Sequence, residues 1–256
     1  MKCKIFILLG VALIIVLTMG CQPRGASMEQ PVGQHLVHFE KKITKTVTGR
    51  HLLFLPEDYY KDKKQWSLML FLHGGGERGD DLELVKRHGP PKIVENKKDF
   101  PFIVVSPQCP LYERWTAEHL SALIDEVVSH YRVDEDRIYV TGLSMGGAGT
   151  WTITIATPER FAAIAPICPA RSLPDKAEVI KNLPIWVFHG TKDNRVPIKR
   201  TIEMVDALKE CGSNVRFTIY PEPRDPLHPH DCWTETYENP ELYEWLLSHK
   251  RVRKGS

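Results

Sequence analysis

The sequence predicts an α/β fold with a mostly parallel central sheet and helices on both faces. Three observations predict it. From His38 onward, short apolar runs alternate with segments of helical spacing. The runs are about four to seven residues long, as expected of strands buried on both faces. No linker or internal repeat interrupts the alternation, so a single domain fits the 256 residues.

The elements follow in order. Residues 42–55 alternate enough for one or two edge strands. Residues 67–72 are an apolar run ending in Gly74-Gly75-Gly76, which marks a buried strand and its turn. Residues 101–105 form a second such strand, and 116–131 carry Leu120, Leu123, Ile124, Val127 and Val128 at helical spacing. A strand over 137–141 leads into a helix over 145–156, and a strand over 161–167 follows. Then come a strand over 184–189, a helix over 197–211, a strand over 215–220 and a final helix over 240–248. Sheets of this kind hold their sites beyond the carboxyl ends of the strands.

Composition narrows the function. The chain is 42% hydrophobic and 26% charged, which excludes a disordered chain, a collagen-like repeat and a multi-span membrane protein. Lys and Arg number 34 against 32 Asp and Glu, a formal charge of +2. That balance gives no electrostatic reason to expect a nucleic-acid partner. The excess resides in Lys2 and Lys4, so without residues 1–20 the formal charge is zero.

The N-terminus reads as an address. Met1-Lys2-Cys3-Lys4 precedes an apolar stretch over 5–19, too short for the roughly 20 residues of a spanning helix. A basic start, a short apolar run and Gly20 fit a signal peptide over 1–20. Thr18-Met19-Gly20-Cys21 resembles a bacterial lipoprotein processing box, with Thr18 where Leu is usual. The expectation is export with a lipid anchor on Cys21, or secretion if Cys21 is incidental. Residues 21–35 read as a polar tether and 36–256 as the catalytic domain. Cys109, Cys168, Cys211 and Cys232 then remain, either as free thiols or in up to two disulfides.

Chemistry concentrates in four places. Gly142-Leu143-Ser144-Met145-Gly146 is a G-x-S-x-G turn between a strand and a helix, the context of a nucleophile elbow carrying Ser144. The amide of Met145 is one candidate oxyanion donor. Gly75, with Gly74 second, supplies the other from the His73-Gly74-Gly75-Gly76 loop. His73 itself reads as structural. Asp193 follows the strand over 184–189 and is the candidate acid. The loop after the last strand offers His230 and His228 as candidate bases, with His230 preferred because it precedes a helix start. A metal reading of His228, His230, Asp231 and Cys232 lacks any recognised ligand spacing.

Taken together, these segments resemble the α/β-hydrolase superfamily. More narrowly they are similar to its prolyl-oligopeptidase-like and polyhydroxybutyrate-depolymerase-like esterase branch, which includes bacterial carboxylesterases labelled predicted peptidases. The segments are Leu72-His-Gly-Gly-Gly-Glu-Arg-Gly79, Ser106-Pro-Gln-Cys109, Thr141-Gly-Leu-Ser-Met-Gly-Gly147, Phe188-His-Gly-Thr-Lys-Asp193 and His230-Asp-Cys-Trp-Thr-Glu-Thr-Tyr237. The resemblance implies a Ser144-Asp193-His230 triad, no cofactor and no metal. The stretch 222–229 departs from it in length and Pro content, and the chain has no room for a propeller or large cap. The longest candidate insertion lies between Gly76 and Pro101. The expectation is an open-site serine carboxylesterase for short-acyl or aryl esters, such as acetyl or feruloyl groups on plant polysaccharide. Trp115, Trp151 and Trp233 are candidates for a sugar platform or for core. The rivals are a serine peptidase for short peptides and a non-catalytic surface protein.

Overall fold

The computed structural model describes residues 44–251. The proposed signal peptide, Cys21 and the tether lie outside the described residues. Among the described residues, no helix is long and apolar enough to cross a membrane.

Seven strands form one sheet: β1 His51–Phe54, β2 Trp66–Leu72, β3 Phe102–Pro107, β4 Val133–Leu143, β5 Ala163–Ile167, β6 Trp186–Gly190 and β7 Arg216–Tyr220. Their spatial order is β1-β3-β2-β4-β5-β6-β7. Only β1 runs antiparallel, with Leu53 opposite Val105. The helices are α1 Gly89–Ile93, α2 Ala117–His130, α3 Met145–Ala156, α4 Ala177–Ile180, α5 Lys199–Glu210, α6 Trp233–Glu238 and α7 Pro240–Ser248.

Strand periodicity splits the core into two layers. On β2, Leu68, Leu70 and Leu72 belong to the core layer that also holds Leu120 and Ile124 of α2, Ile153 of α3, and Met204 and Leu208 of α5. Met69 and Phe71 face the other way, toward Phe100, Phe102, Tyr139, Leu242 and Leu246. Every residue of β2 is therefore buried, and the strand reads as a continuous apolar run.

Local chemistry sets the helix ends. The Thr116 hydroxyl accepts from the His119 N–H at 3.3 Å and starts α2. Asn239 caps α7, and Pro240 occupies the first helical turn, where a missing N–H costs nothing. The lining of α3 is almost wholly buried, and its Thr150 and Thr154 hydroxyls donate to the carbonyls one turn back.

Strand bounds differ from those expected, while the absence of a large cap is as expected. Only 51–54 pairs as an edge strand in the 42–55 segment, and 42–43 lie outside the described residues. β4 begins at Val133, four residues earlier than expected, because Trp66 pairs with Val133 across a register shift. The 76–101 insertion forms no cap. It folds into short helical turns over Gly75–Glu77 and Leu82–Arg87, then α1, and buries Val85, Val94 and Phe100 in the second core layer.

Candidate active site

The carboxyl ends of β2, β4, β6 and β7 bring the candidate residues to one edge of the sheet. β4 ends in Gly142 and Leu143, and α3 starts at Met145. Ser144 between them has φ +53° and ψ −110°, a conformation that costs a non-glycine residue of order 1–3 kcal/mol. The surroundings hold it there. Its N–H donates to Ile167 O at 2.9 Å, and its carbonyl accepts from Ala170 N–H at 2.9 Å.

The flanking glycines are dictated by space. A Cβ on Gly142 would lie 2.6 Å from the Gly146 carbonyl, and one on Gly146 would lie 1.8 Å from Leu72 O. The elbow thus presses against the end of β2, which carries the His73-Gly74-Gly75 loop.

Ser144, Asp193 and His230 come together. His230 Nε2 lies 3.0 Å from Ser144 Oγ, and His230 Nδ1 lies 2.6 Å from Asp193 Oδ2. Asp193 Oδ1 accepts from the N–H groups of Arg195 and Val196, each at 2.9 Å, which fixes the carboxylate. Burial pushes the Asp193 carboxyl up, but His189, His230 and those two amides outweigh it and hold the carboxyl well below the usual range. The side chain of His230 is 16% exposed and that of Asp193 1%, so the pair is shielded but reachable from the histidine side.

The loop over 222–229 does not keep His230 from Ser144. Asp225 folds it back, accepting from Leu227 N–H at 2.9 Å and pairing with His228 Nδ1 at 2.8 Å. His228 is thereby occupied at the exposed surface, away from Ser144. Asp231 accepts from the N–H and hydroxyl of Thr234 at 2.9 and 2.8 Å and fixes the turn into α6.

Two more residues make contacts at the site, His189, which the sequence did not single out, and Trp233. Buried His189 lies with Nε2 3.2 Å from Asp193 Oδ2 and 2.9 Å from Val196 O, while its Nδ1 meets the Thr201 hydroxyl at 2.7 Å. Trp233 stands edge-on to His230 at 5.1 Å and to His88 at 5.4 Å. The Phe188-His-Gly run was the available signal for His189. Trp115 and Trp151 are buried, and Trp233 is the platform candidate that lies against His230.

The thiols Cys109, Cys168, Cys211 and Cys232 are free. The grouping of His228, His230, Asp231 and Cys232 is not assembled. Instead one ligand atom each from Cys168, Asp193 and His230 lies within 4.8 Å of the others. Two of these are already bonded to each other, and burial pushes the Cys168 thiol well above its usual value.

Of the candidate oxyanion donors, Gly74 and Gly75 follow β2 after His73, and Met145 opens α3 beside Ser144. Residue types, order and strand positions now agree. The chain has the α/β-hydrolase fold. The phospholipase/carboxylesterase family profile matches residues 114–229, which run from just before α2 to the loop before His230. A solved thermostable esterase is 37% identical with a TM-score of 0.67, covering 78% of this chain and 59% of its own. Acyl-protein thioesterase 1 of Neurospora crassa is 33% identical over 96 residues, 35% of this chain and 39% of the relative. A bifunctional acetylxylan esterase/xylanase of Neocallimastix patriciarum is 32% identical over 75 residues, 29% of this chain and 11% of the relative. The chain therefore spans less than two thirds of each of these relatives.

Proposed function

We propose that this chain is a serine carboxylesterase with Ser144 as nucleophile, His230 as base and Asp193 as the acid that orients it. The relay of 3.0 Å from Ser144 Oγ to His230 Nε2 and 2.6 Å from His230 Nδ1 to Asp193 Oδ2 carries the reading. His230 takes the Ser144 proton as Oγ attacks the ester carbonyl. The amides of Met145 and Gly75, with Gly74 next to it, receive the oxyanion. The tetrahedral intermediate expels an alkoxide, which takes the proton from His230. Water, deprotonated by His230, then releases the acid and restores Ser144. Asp193 stabilises the imidazolium formed in each half-reaction.

An alcohol leaves more easily than an amine, and no large cap gates the site. Esters are therefore favoured over peptides. Similarity to part of an acetylxylan esterase/xylanase supports short acyl groups on polysaccharide as the substrate class. Export by the N-terminal signal, with or without lipid on Cys21, would bring the enzyme to such substrates. The test is a panel of p-nitrophenyl acetate, acetylated and feruloylated xylan fragments, and peptide anilides. Ester turnover with no anilide turnover supports the reading. Faster anilide cleavage would replace it with a peptidase.

A further inference from the structure

The side chain of His73 is buried at the end of β2, yet the triad makes no use of it. Its hydrogen bonds define its protonation. Cys109 N–H donates to His73 Nε2 at 3.0 Å, so Nε2 carries the lone pair. The ring proton therefore sits on Nδ1, 2.7 Å from Gly74 O, and donates to it. Burial holds the ring neutral, with a pKa lowered to about 4.

Gly74 O belongs to the same planar peptide as the Gly75 N–H. In a trans peptide the two point in opposite directions, so capturing the carbonyl aims the amide. The adjoining peptides are treated alike. Trp115 Nε1–H donates to His73 O at 3.2 Å and sets the Gly74 N–H. Arg78 Nε–H donates to Gly75 O at 3.0 Å and sets the Gly76 N–H. Trp115 is itself immobilised: it meets His73 edge-on at 4.9 Å and packs so tightly on α3 that a Cβ on Gly149 would lie 2.7 Å from it. Among the described residues, no acceptor is bonded to the Gly74 or Gly75 N–H.

We propose that His73 is a positioning residue of the oxyanion hole, with Trp115 and Arg78 as its partners: three side-chain donors hold three successive carbonyls so that the glycine amides face the reacting carbonyl oxygen. The inference rests on the esterase reading. A hydrogen bond to Gly74 O also polarises the peptide and strengthens its N–H as a donor. The benefit appears as negative charge develops on the substrate, so it belongs to the transition state.

The experiment compares His73→Gln, His73→Asn and Arg78→Met in the mature protein, with thermal scans to verify folding. An Asn amide can occupy the position of Nδ1 and donate to Gly74 O, whereas a Gln amide lies too far out. The probe is an aryl trifluoromethyl ketone. Ser144 Oγ adds to its carbonyl, the Ser144 proton passes to His230, and the anionic hemiketal occupies the oxyanion hole. His73→Gln lowers kcat about 100-fold and weakens ketone binding by the same factor, with KM little changed. His73→Asn restores most of both, and Arg78→Met shows the same paired loss at about tenfold. Unchanged ketone affinity in folded His73→Gln or in Arg78→Met overturns the proposal, as does an Asn variant as impaired as Gln. Failure of the esterase reading looks different: the unaltered enzyme then neither hydrolyses aryl esters nor binds the ketone at Ser144, and the positioning role falls with it.

Discussion

Substituting Gly146 with alanine tests how tightly the elbow is built. The added Cβ would sit 1.8 Å from Leu72 O and 2.8 Å from His73 O, while ordinary contact begins at 3.4 Å. Both neighbours are backbone, so no side chain can swing aside. The end of β2 and the start of α3 must separate by roughly 1.6 Å at the closest contact, the difference between those distances. Overpacking of this kind costs about 3 kcal/mol, the upper end of the usual range. For a domain of this size that lowers Tm by about 6–12 °C. The same movement displaces the loop bearing Gly74 and Gly75, and a misplacement of about 1 Å at a reacting centre costs roughly 100-fold in rate. Gly76→Ala is the control, because its Cβ would meet nothing within 4 Å. The assay is a thermal scan paired with kcat/KM on p-nitrophenyl acetate. A Gly146→Ala protein whose Tm stays within about 2 °C and whose rate stays within about threefold of wild type would refute the packing argument.

Four further outcomes follow from the same geometry. Asp193→Asn keeps the fold but presents an amide to His230 Nδ1, and kcat falls by about 10⁴-fold; a loss under tenfold counts against its role. His230→Ala abolishes ester turnover, whereas His228→Ala, at the exposed surface, stays within about twofold; the reverse pattern makes His228 the base. Stability should decline in mild acid because of His73. Its folded pKa is about 4 against 6.5 unfolded, so the unfolded chain binds the extra proton. Its contribution is full above pH 6.5 and falls by about 3 kcal/mol as pH drops to about 4; a Tm–pH slope in that window as steep in His73→Asn as in wild type contradicts this. Asp193 has the same sense: its carboxyl is also depressed on folding, so its stabilisation is full above the usual carboxylate range and is lost progressively as pH falls through and below that range. Its signature is acid unfolding of Asp193→Asn that lacks the steep low-pH limb of wild type.

The parts of the fold legible in sequence were those governed by local pattern. The helix over 145–156 and the helix over 240–248 have those bounds in the structure, one opened by the Gly-rich elbow and the other by Asn239-Pro240. The start of β4 was not legible. Asp134-Glu135-Asp136 has the composition of a turn, and it lies in the register shift between the Trp66–Val133 and Leu68–Ile138 pairs. The insertion over 76–101 was equally opaque, since its 3-10 turns follow from docking Val85, Val94 and Phe100 rather than from periodicity. At the candidate site, the convergence of Ser144, Asp193 and His230 was readable from strand ends and chain order. His189 and the donor role of His73 were not, because each depends on which atom of a buried ring faces which carbonyl or carboxylate. The tryptophans show the same limit: Trp151 and Trp233 both sit in polar-flanked motifs, yet one is core and the other lies against His230.

Peptide mapping after treatment with a fluorophosphonate tests the central claim most directly. The probe phosphonylates only a serine activated by a neighbouring base, with fluoride as leaving group. The account predicts one adduct per chain, on the peptide containing Ser144, with complete loss of p-nitrophenyl acetate hydrolysis and no adduct in His230→Ala. An unlabelled Ser144 in an active enzyme, or an adduct elsewhere that abolishes activity, would contradict it.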